Sequence, residues 1–190
     1  MAPPSSSPPA SEQLLRTLDA HLQEWAAIHR QALAAGSSLA NLHAQRQKAL
    51  VLTPNDHRLL FALHEQIEDA LRQLRHHAGS YARVAGQIGA LAELSAADVE
   101  DPLVRTAGIT AEYVAGVVSE RCEVYGRESE RRRGLLDKAV WAQDDVARFA
   151  DEWAVCHVDY AVEEEYLDRL RCLRLARQWH ANREIERLHL

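Results

Sequence analysis

The sequence contains little of what interrupts a helix. Only 8 glycines and 6 prolines occur among its 190 residues, and four of the prolines lie within the first nine positions. Glycine and proline most strongly mark turns, so the rest of the chain has few places at which a helix must end. The strict alternation of apolar and polar residues that is typical of strands is missing as well. These two absences predict an all-α fold.

Long apolar runs and paired cysteines are also lacking. No apolar segment approaches the roughly 20 residues that cross a bilayer, and the N-terminus has no apolar stretch typical of a secretory signal. The three cysteines, Cys122, Cys156 and Cys172, are odd in number and form no C-x-x-C pair. Because this usage is typical of a reducing compartment, we expect a soluble intracellular protein with no membrane partner.

Motifs that carry catalysis or cofactor binding are missing too. The chain has no phosphate-binding loop, no G-x-G-x-x-G turn and no G-x-S-x-G elbow, and His64-Glu65 lacks the second histidine of a zinc-protease helix. His57, His64 and Glu68 could line one helix face, but no second acidic helix is available to complete a metal site. We therefore predict that the protein is not an enzyme and has no catalytic, cofactor-binding or metal-binding residues. A net charge of -6 argues against direct nucleic-acid binding.

What the sequence does contain is a long heptad pattern in its first half. Apolar residues recur every third or fourth position, with one polar interruption, at Leu60, Leu63, Ile67, Ala70, Leu74, His77, Tyr81, Val84, Ile88 and Leu91. A helix with such a stripe must be covered by partner helices. We expect it to begin at a cap on Asn55 or Asp56 and to end near Leu94.

A first long helix precedes this one. Ser11 is a suitable N-cap, and an apolar stripe continues on both sides of Gly36-Ser37-Ser38, which predicts one helix with a kink at that point. The short turn at residues 53–56 then predicts an antiparallel pair of helices. Residues 1–10, rich in proline and serine, are predicted to be a disordered tail, and residues 11–190 a single domain.

The second half of the chain is less regular. We expect a long loop over residues 95–109, a helix from Thr110, a short helix from Asp144 or Asp145, and a last helix after residue 159. Residues 126–134 are highly charged and are predicted to be an exposed helical segment. Its arginines, Arg131, Arg132 and Arg133, are interpreted either as a solvated face or as a partner-binding stripe. The expected architecture is an elongated antiparallel bundle of three to four long helices with coiled-coil-like apolar stripes.

Three places in the chain resemble a known family. They are Trp25 with Leu39-Ala40-Asn41-Leu42, then Val124-Tyr125 with a charged stretch and Leu135-Leu136, and lastly Trp153 with Tyr160 and the acidic-to-leucine run of residues 163–170. Together they resemble the cyclin-dependent kinase 2-interacting protein family, over residues 14–173. They also resemble, less closely, the related small ribosome maturation factor that partners the same AAA+ ATPases. The turn at residues 53–56 is shorter than the family's linker, and the C-terminal helix runs further.

The resemblance implies a non-catalytic accessory subunit that docks on a ring of AAA+ ATPases and pairs with a small helical paralogue. It implies roles in large ribosomal subunit maturation, DNA replication and genome maintenance, in nucleus and cytoplasm, with a cyclin-dependent kinase as a further partner. The positions that would contact partners are Trp25, Leu39, Leu42, Tyr125, Arg131, Arg132, Arg133 and Trp153. Core packing is the alternative interpretation of the aromatic residues. The alternative function is a structural coiled-coil tether or scaffold subunit of trafficking or kinetochore type, since the heptads of residues 60–91 are nearly unbroken.

Overall fold

The computed structural model describes residues 10–94, 102–139, 146–158 and 161–188, and these ranges contain helices and no strands. The helices in chain order are α1 (Ala10–Leu52), α2 (His57–Ala92), α3 (Pro102–Thr106), α4 (Ala111–Ala139), α5 (Val146–Ala154) and α6 (Ala161–Leu188). The all-α prediction is confirmed. Of the expected tail at residues 1–10, residues 1–9 lie outside the described residues, and Ala10 is the first residue of α1. The expected start of a helix at Asp144 or Asp145 also lies outside the described residues.

The starts of two long helices follow from side chains that cap them. The Leu59 backbone N–H donates to Asp56 Oδ1 at 3.0 Å, and the Tyr113 backbone N–H donates to Thr110 Oγ1 at 3.1 Å. Each bond satisfies one of the free N–H groups in the first turn of a helix. The predicted cap of α2 is therefore confirmed as Asp56, and α4 begins beside Thr110, as expected.

α1 is one continuous helix of 43 residues that passes through Gly36, Ser37 and Ser38. The prediction of one helix in place of two is confirmed.

The predicted long loop over residues 95–109 is wrong in its second part, because residues 102–106 form α3. Pro102 begins the helix, where its missing N–H has no helical partner to lose. Gly108 ends it with a φ of 68°. The Ile109 N–H bonds to the Val104 carbonyl at 3.1 Å and the Gly108 N–H to the Arg105 carbonyl at 3.0 Å, which is a Schellman cap. The proline and glycine that predicted a loop are thus the start and stop of a helix.

The helices divide into two compact units. The first takes its described residues from the ranges 1–21, 88–123 and 158–190, and the second from 22–87 and 124–157. The single-domain assignment of residues 11–190 stays a prediction.

In the first unit, α6 is tied to the α3–α4 connection by Arg169. Its Nη1 donates to the Gly108 carbonyl at 2.6 Å, and its guanidinium lies 3.9 Å from the centre of the Tyr113 ring. A second contact joins α6 to α1 through Glu12, whose side chain is 2% exposed. Glu12 accepts bonds from Arg16 of α1 and from Arg177 of α6. Buried carboxylates need such partners, so both contacts hold α6 to its neighbours.

In the second unit, α1 and α2 run antiparallel. Trp25 packs on Tyr81 with ring centres 4.5 Å apart, and Glu24 forms an ion pair with Arg83. Further along α1, residues 31–38 line a groove with residues 69–77 of α2. Higher numbers on one helix thus meet lower numbers on the other, as expected for a helical hairpin.

Candidate functional site

All eight residues predicted to contact partners belong to the second unit, but most are not at its surface. Trp25, Tyr125 and Trp153 are 0% exposed and Leu39 is 1% exposed, while Leu42 is half-buried. Core packing, the alternative interpretation of the aromatic residues, is confirmed. Their role as partner contacts stays a prediction.

The aromatic residues form one cluster. Trp25 packs between Tyr81 and Tyr125, with the Tyr125 ring edge-on at 4.8 Å. Trp153 of α5 stacks on Phe149 at 5.7 Å and meets Tyr81 at 6.5 Å. Offset and edge-on rings at these separations are the favourable geometry for aromatic pairs. The cluster therefore joins α5 to α1, α2 and α4.

Gly36 explains how α5 approaches α1 so closely. A Cβ atom at residue 36 would lie 2.9 Å from Trp153 Cδ1. The Trp153 indole N–H donates to the Ala32 carbonyl at 3.0 Å, one turn earlier on α1. This bond fixes the ring against the helix, so residue 36 must be glycine for the contact to form. The interruption that predicted a kink is thus a docking position for a tryptophan.

Arg132 lies inside this cluster. It is 0% exposed, and its Nε donates to Glu128 Oε1 at 2.8 Å. Its Nη1 donates to the Trp153 carbonyl at 3.3 Å, and its guanidinium lies 4.6 Å from the centre of the Tyr81 ring. The prediction that residues 126–134 are an exposed segment is therefore wrong at Arg132 and at Glu128, which is 3% exposed.

Arg131 and Arg133 have different surroundings. Arg131 binds both oxygens of Glu128 at 2.8 Å and donates to the backbone carbonyls of Glu152 and Val155 at 3.0 and 2.6 Å. These carbonyls stand at the C-terminal end of α5, where cations are favoured by the helix dipole. Arg133 is exposed. The arginine triplet is therefore two α5 anchors followed by one surface residue.

The surroundings of Glu128 and His29 favour a charged carboxylate and a neutral imidazole. Burial raises the pKa of Glu128, but hydrogen bonds from Arg131 and the charge of Arg132 outweigh it, so the pKa is held below its usual range. Burial and the nearby Arg132 charge lower the pKa of His29. A neutral His29 can accept at Nδ1, which lies 3.2 Å from Arg132 Nη2 and 3.2 Å from the Tyr81 hydroxyl.

These contacts leave the cluster little chemistry of its own. The Glu128 carboxylate is committed to two guanidiniums, and burial raises the pKa of the Tyr81 hydroxyl, which stays protonated. Among the residues that the structure describes, no three histidines, cysteines or acids are arranged to hold a metal ion. The arginine cluster, which we define as His29, Tyr81, Glu128, Arg131, Arg132 and Trp153, is best explained as the anchor of α5.

A surface that the sequence analysis missed lies where α1 turns into α2. Five large apolar side chains are exposed between residues 50 and 61, a segment that we call the hairpin tip: Leu50 at 42%, Val51 at 78%, Leu52 at 65%, Leu59 at 40% and Phe61 at 62%. A signal for it existed, since three consecutive apolar residues end α1 and one helix face cannot bury all three. Three consecutive exposed apolar residues are unusual at the surface of a helical protein, so the tip is a candidate contact surface.

The residues around the hairpin tip carry a small excess of positive charge. Residues 43–66 contain Arg46, Lys48 and Arg58 against two acids, Asp56 and Glu65, in a chain whose net charge is -6. Within the described part of the chain, none of the three cations has an ion pair to a carboxylate. Asp56 accepts the backbone N–H of Leu59 as the cap of α2. The tip thus combines an apolar surface with unneutralised cations.

The first unit has an exposed apolar surface of its own on α6. Leu175 is 64% exposed and Trp179 is 54% exposed, and they lie four residues apart on one side of the helix. The guanidinium of Arg183 lies 4.6 Å from the centre of the Trp179 ring. We call these three residues the α6 face.

Comparison of the chain with protein-family models, curated proteins and solved structures finds no match. None of the helices in the ranges described here is both long and apolar enough to cross a membrane.

Proposed function

We propose that this protein is a non-catalytic adaptor that joins two partner proteins through helix-to-helix contacts. The observation that carries the proposal is the presence of an exposed apolar surface in each unit, the hairpin tip in one and the α6 face in the other. An adaptor needs two such surfaces, whereas a simple binding module needs only one.

The composition of the two surfaces supports binding. Most large apolar side chains of the long helices are buried, so the exposed leucines, Phe61 and Trp179 stand apart from the rest. Contiguous exposed apolar residues commonly mark protein contacts, and tryptophan is enriched among residues that dominate binding energy. The Arg183 guanidinium lies over the Trp179 ring, a favourable cation–π contact beside the exposed apolar surface.

The more specific proposal rests on the family resemblance. According to this proposal, the protein is an accessory subunit of an AAA+ ATPase complex and pairs with a small helical paralogue. It acts in large ribosomal subunit maturation and in DNA replication and genome maintenance. The protein would work in nucleus and cytoplasm without binding nucleic acid directly. An elongated antiparallel bundle with coiled-coil-like stripes is the architecture that belongs to this proposal.

The alternative, a self-associating coiled-coil tether, requires the α2 stripe to be available to another chain. Eight of its positions are instead buried: Leu63, Ile67, Ala70, Leu74, Tyr81, Val84, Ile88 and Leu91. A stripe that is already covered cannot also form a coiled coil with a second copy. This burial favours the adaptor over the tether.

The test removes one surface at a time. Tagged wild-type protein, the double variant Val51→Ser/Phe61→Ser and the double variant Leu175→Ser/Trp179→Ser are used for quantitative affinity capture with a slowly hydrolysed ATP analogue. We expect each variant to lose a different set of proteins, with an AAA+ ATPase and a second small helical protein in the wild-type eluate. Identical recoveries from all three would contradict the adaptor function.

A further inference from the structure

We propose that the partner of the hairpin tip is an acidic amphipathic helix. This inference rests on the proposed function, because it names the kind of partner that one of the two surfaces binds. It follows from the shape, the charge and the apex of the tip.

The apolar side chains of the tip lie on two helices. Leu50, Val51 and Leu52 form the last turn of α1, and Leu59 and Phe61 lie in the first turns of α2. The two helices are joined by only four residues, so these turns are close neighbours. An incoming helix that presents apolar residues three and four positions apart can cover those side chains of the two turns that face it.

The cations of the tip determine the polar side of that helix. Arg46 and Lys48 precede the exposed residues of α1, and Arg58 adjoins Leu59 on α2. Lys48 and Arg58 are exposed, and Arg46 is half-buried. Glutamates and aspartates beside the apolar residues of the partner would neutralise these charges, and complementary charge speeds association and selects the partner.

The turn between the two helices of the tip argues against a lipid surface as the binding partner. Pro54, Asn55 and Asp56 stand between the two apolar turns, and the Asp56 carboxylate caps α2. A membrane would have to take up this carboxylate together with the leucines, and transferring a charge out of water is costly.

The same charges argue against a second copy of the chain. A twofold contact between two tips would place Arg46, Lys48 and Arg58 of one copy near the same residues of the other. Like charges that face each other across an interface lower its stability. A partner of opposite charge has no such cost.

The experiment is a selection that does not favour either charge. A display library of random 20-residue peptides is selected against the full-length protein, and in parallel against the variant Val51→Ser/Phe61→Ser. The winning peptides are then synthesised and their affinities measured by fluorescence anisotropy at low and high salt. Binding to anionic vesicles of phosphatidylcholine and phosphatidylserine tests a lipid surface as the partner. Sedimentation of the protein alone tests a second copy of the chain.

We expect peptides enriched in acids with leucine or aromatic residues at helical spacing. Their affinity should fall at least about tenfold in the double variant and should weaken as salt rises. Basic or neutral peptides that depend on Val51 and Phe61 would overturn the inference while leaving the tip as a docking surface. Failure to select any peptide that depends on these residues, vesicle binding through the tip, or self-association through it would overturn the inference as well.

Discussion

The arginine cluster and the hairpin tip belong to the same unit and use their side chains in opposite ways. In the cluster, the charged side chains of Arg132 and Glu128 are buried and bonded to each other and to the backbone of α5. In the tip, apolar side chains such as Val51 and Phe61 are exposed. Charged side chains are thus buried in the cluster and apolar side chains are exposed at the tip, the reverse of the usual distribution.

The comparison teaches that residue type alone does not identify a binding surface. A triplet of arginines resembles a docking stripe, yet two of its members hold a helix end. They donate four hydrogen bonds to carbonyls of residues 152–155 and three to Glu128. The leucines that end α1 resemble core residues, yet they lie beyond the point at which α1 is covered. Variants of each region can separate the two roles.

The largest loss of stability is expected for Arg132→Ala. Its loss removes a buried guanidinium from Glu128 and from the Trp153 carbonyl, but Arg131 still pairs with Glu128. We therefore expect a cost of about 3 kcal/mol, the lower end of the range for a broken buried pair. The free energy of unfolding, measured by urea denaturation, should fall by that amount. Arg133→Ala is the matched control, since Arg133 is exposed, and should change stability by less than about 0.5 kcal/mol. Equal effects of the two variants would show that Arg132 anchors nothing.

A smaller loss is expected for Gly36→Ala. The new methyl group would meet Trp153 Cδ1 at 2.9 Å, and overpacking costs about 1 to 3 kcal/mol, against a gain in helix propensity of about 1 kcal/mol. We expect a net loss of about 1 kcal/mol and a weaker near-ultraviolet tryptophan signal. Gly86→Ala, which meets nothing within 4 Å, should instead raise stability by up to about 1 kcal/mol. A gain for both variants would contradict the close contact of α5.

Much of the fold could be predicted from sequence because its causes are local. The 3.6-residue period, the Asp56 and Thr110 caps and the short turn at residues 53–56 each act within a few positions. The arginine cluster could not be predicted in the same way. The Glu128–Arg132 spacing of four residues is visible, but the burial of that pair depends on His29 in α1 and on the end of α5, which only the tertiary fold brings together. The tip was missed for a related reason, since periodicity does not show where a stripe stops being covered.

A still smaller change in the free energy of unfolding is expected when the pH is lowered. Burial and Arg132 lower the pKa of His29 below 6.5, so the unfolded chain binds a proton at a higher pH than the folded chain does. The contribution to stability is complete above about pH 6.5 and is lost as the pH falls towards the folded pKa. His43 and His77 are shifted in the same direction.

Urea denaturation between pH 7.5 and pH 5.5 should therefore show a falling free energy of unfolding. Because each histidine contributes at most about 1.4 kcal/mol per pH unit, His29→Asn should make the slope shallower by less than that amount. Asparagine keeps an acceptor for Arg132 without titrating. A slope that His29→Asn leaves unchanged would mean that His29 titrates normally in the folded protein.

The smallest effect on stability and the largest on binding are expected at the tip. Val51→Ser/Phe61→Ser changes two exposed side chains and should alter the free energy of unfolding by less than about 1 kcal/mol in total. Arg133→Glu is its counterpart in the arginine triplet, because Arg133 can change charge without disturbing the buried pair. Reversing all three arginines at once would instead unfold the α5 anchor.

The most direct test of the account is quantitative capture of partner proteins by these two variants beside the wild type, after their unfolding curves have been shown to match. We predict that Val51→Ser/Phe61→Ser reduces recovery of the tip's partner at least about tenfold, while Arg133→Glu retains it. Loss of the partner with Arg133→Glu and its retention with Val51→Ser/Phe61→Ser would place the docking surface on the arginine triplet and contradict the account.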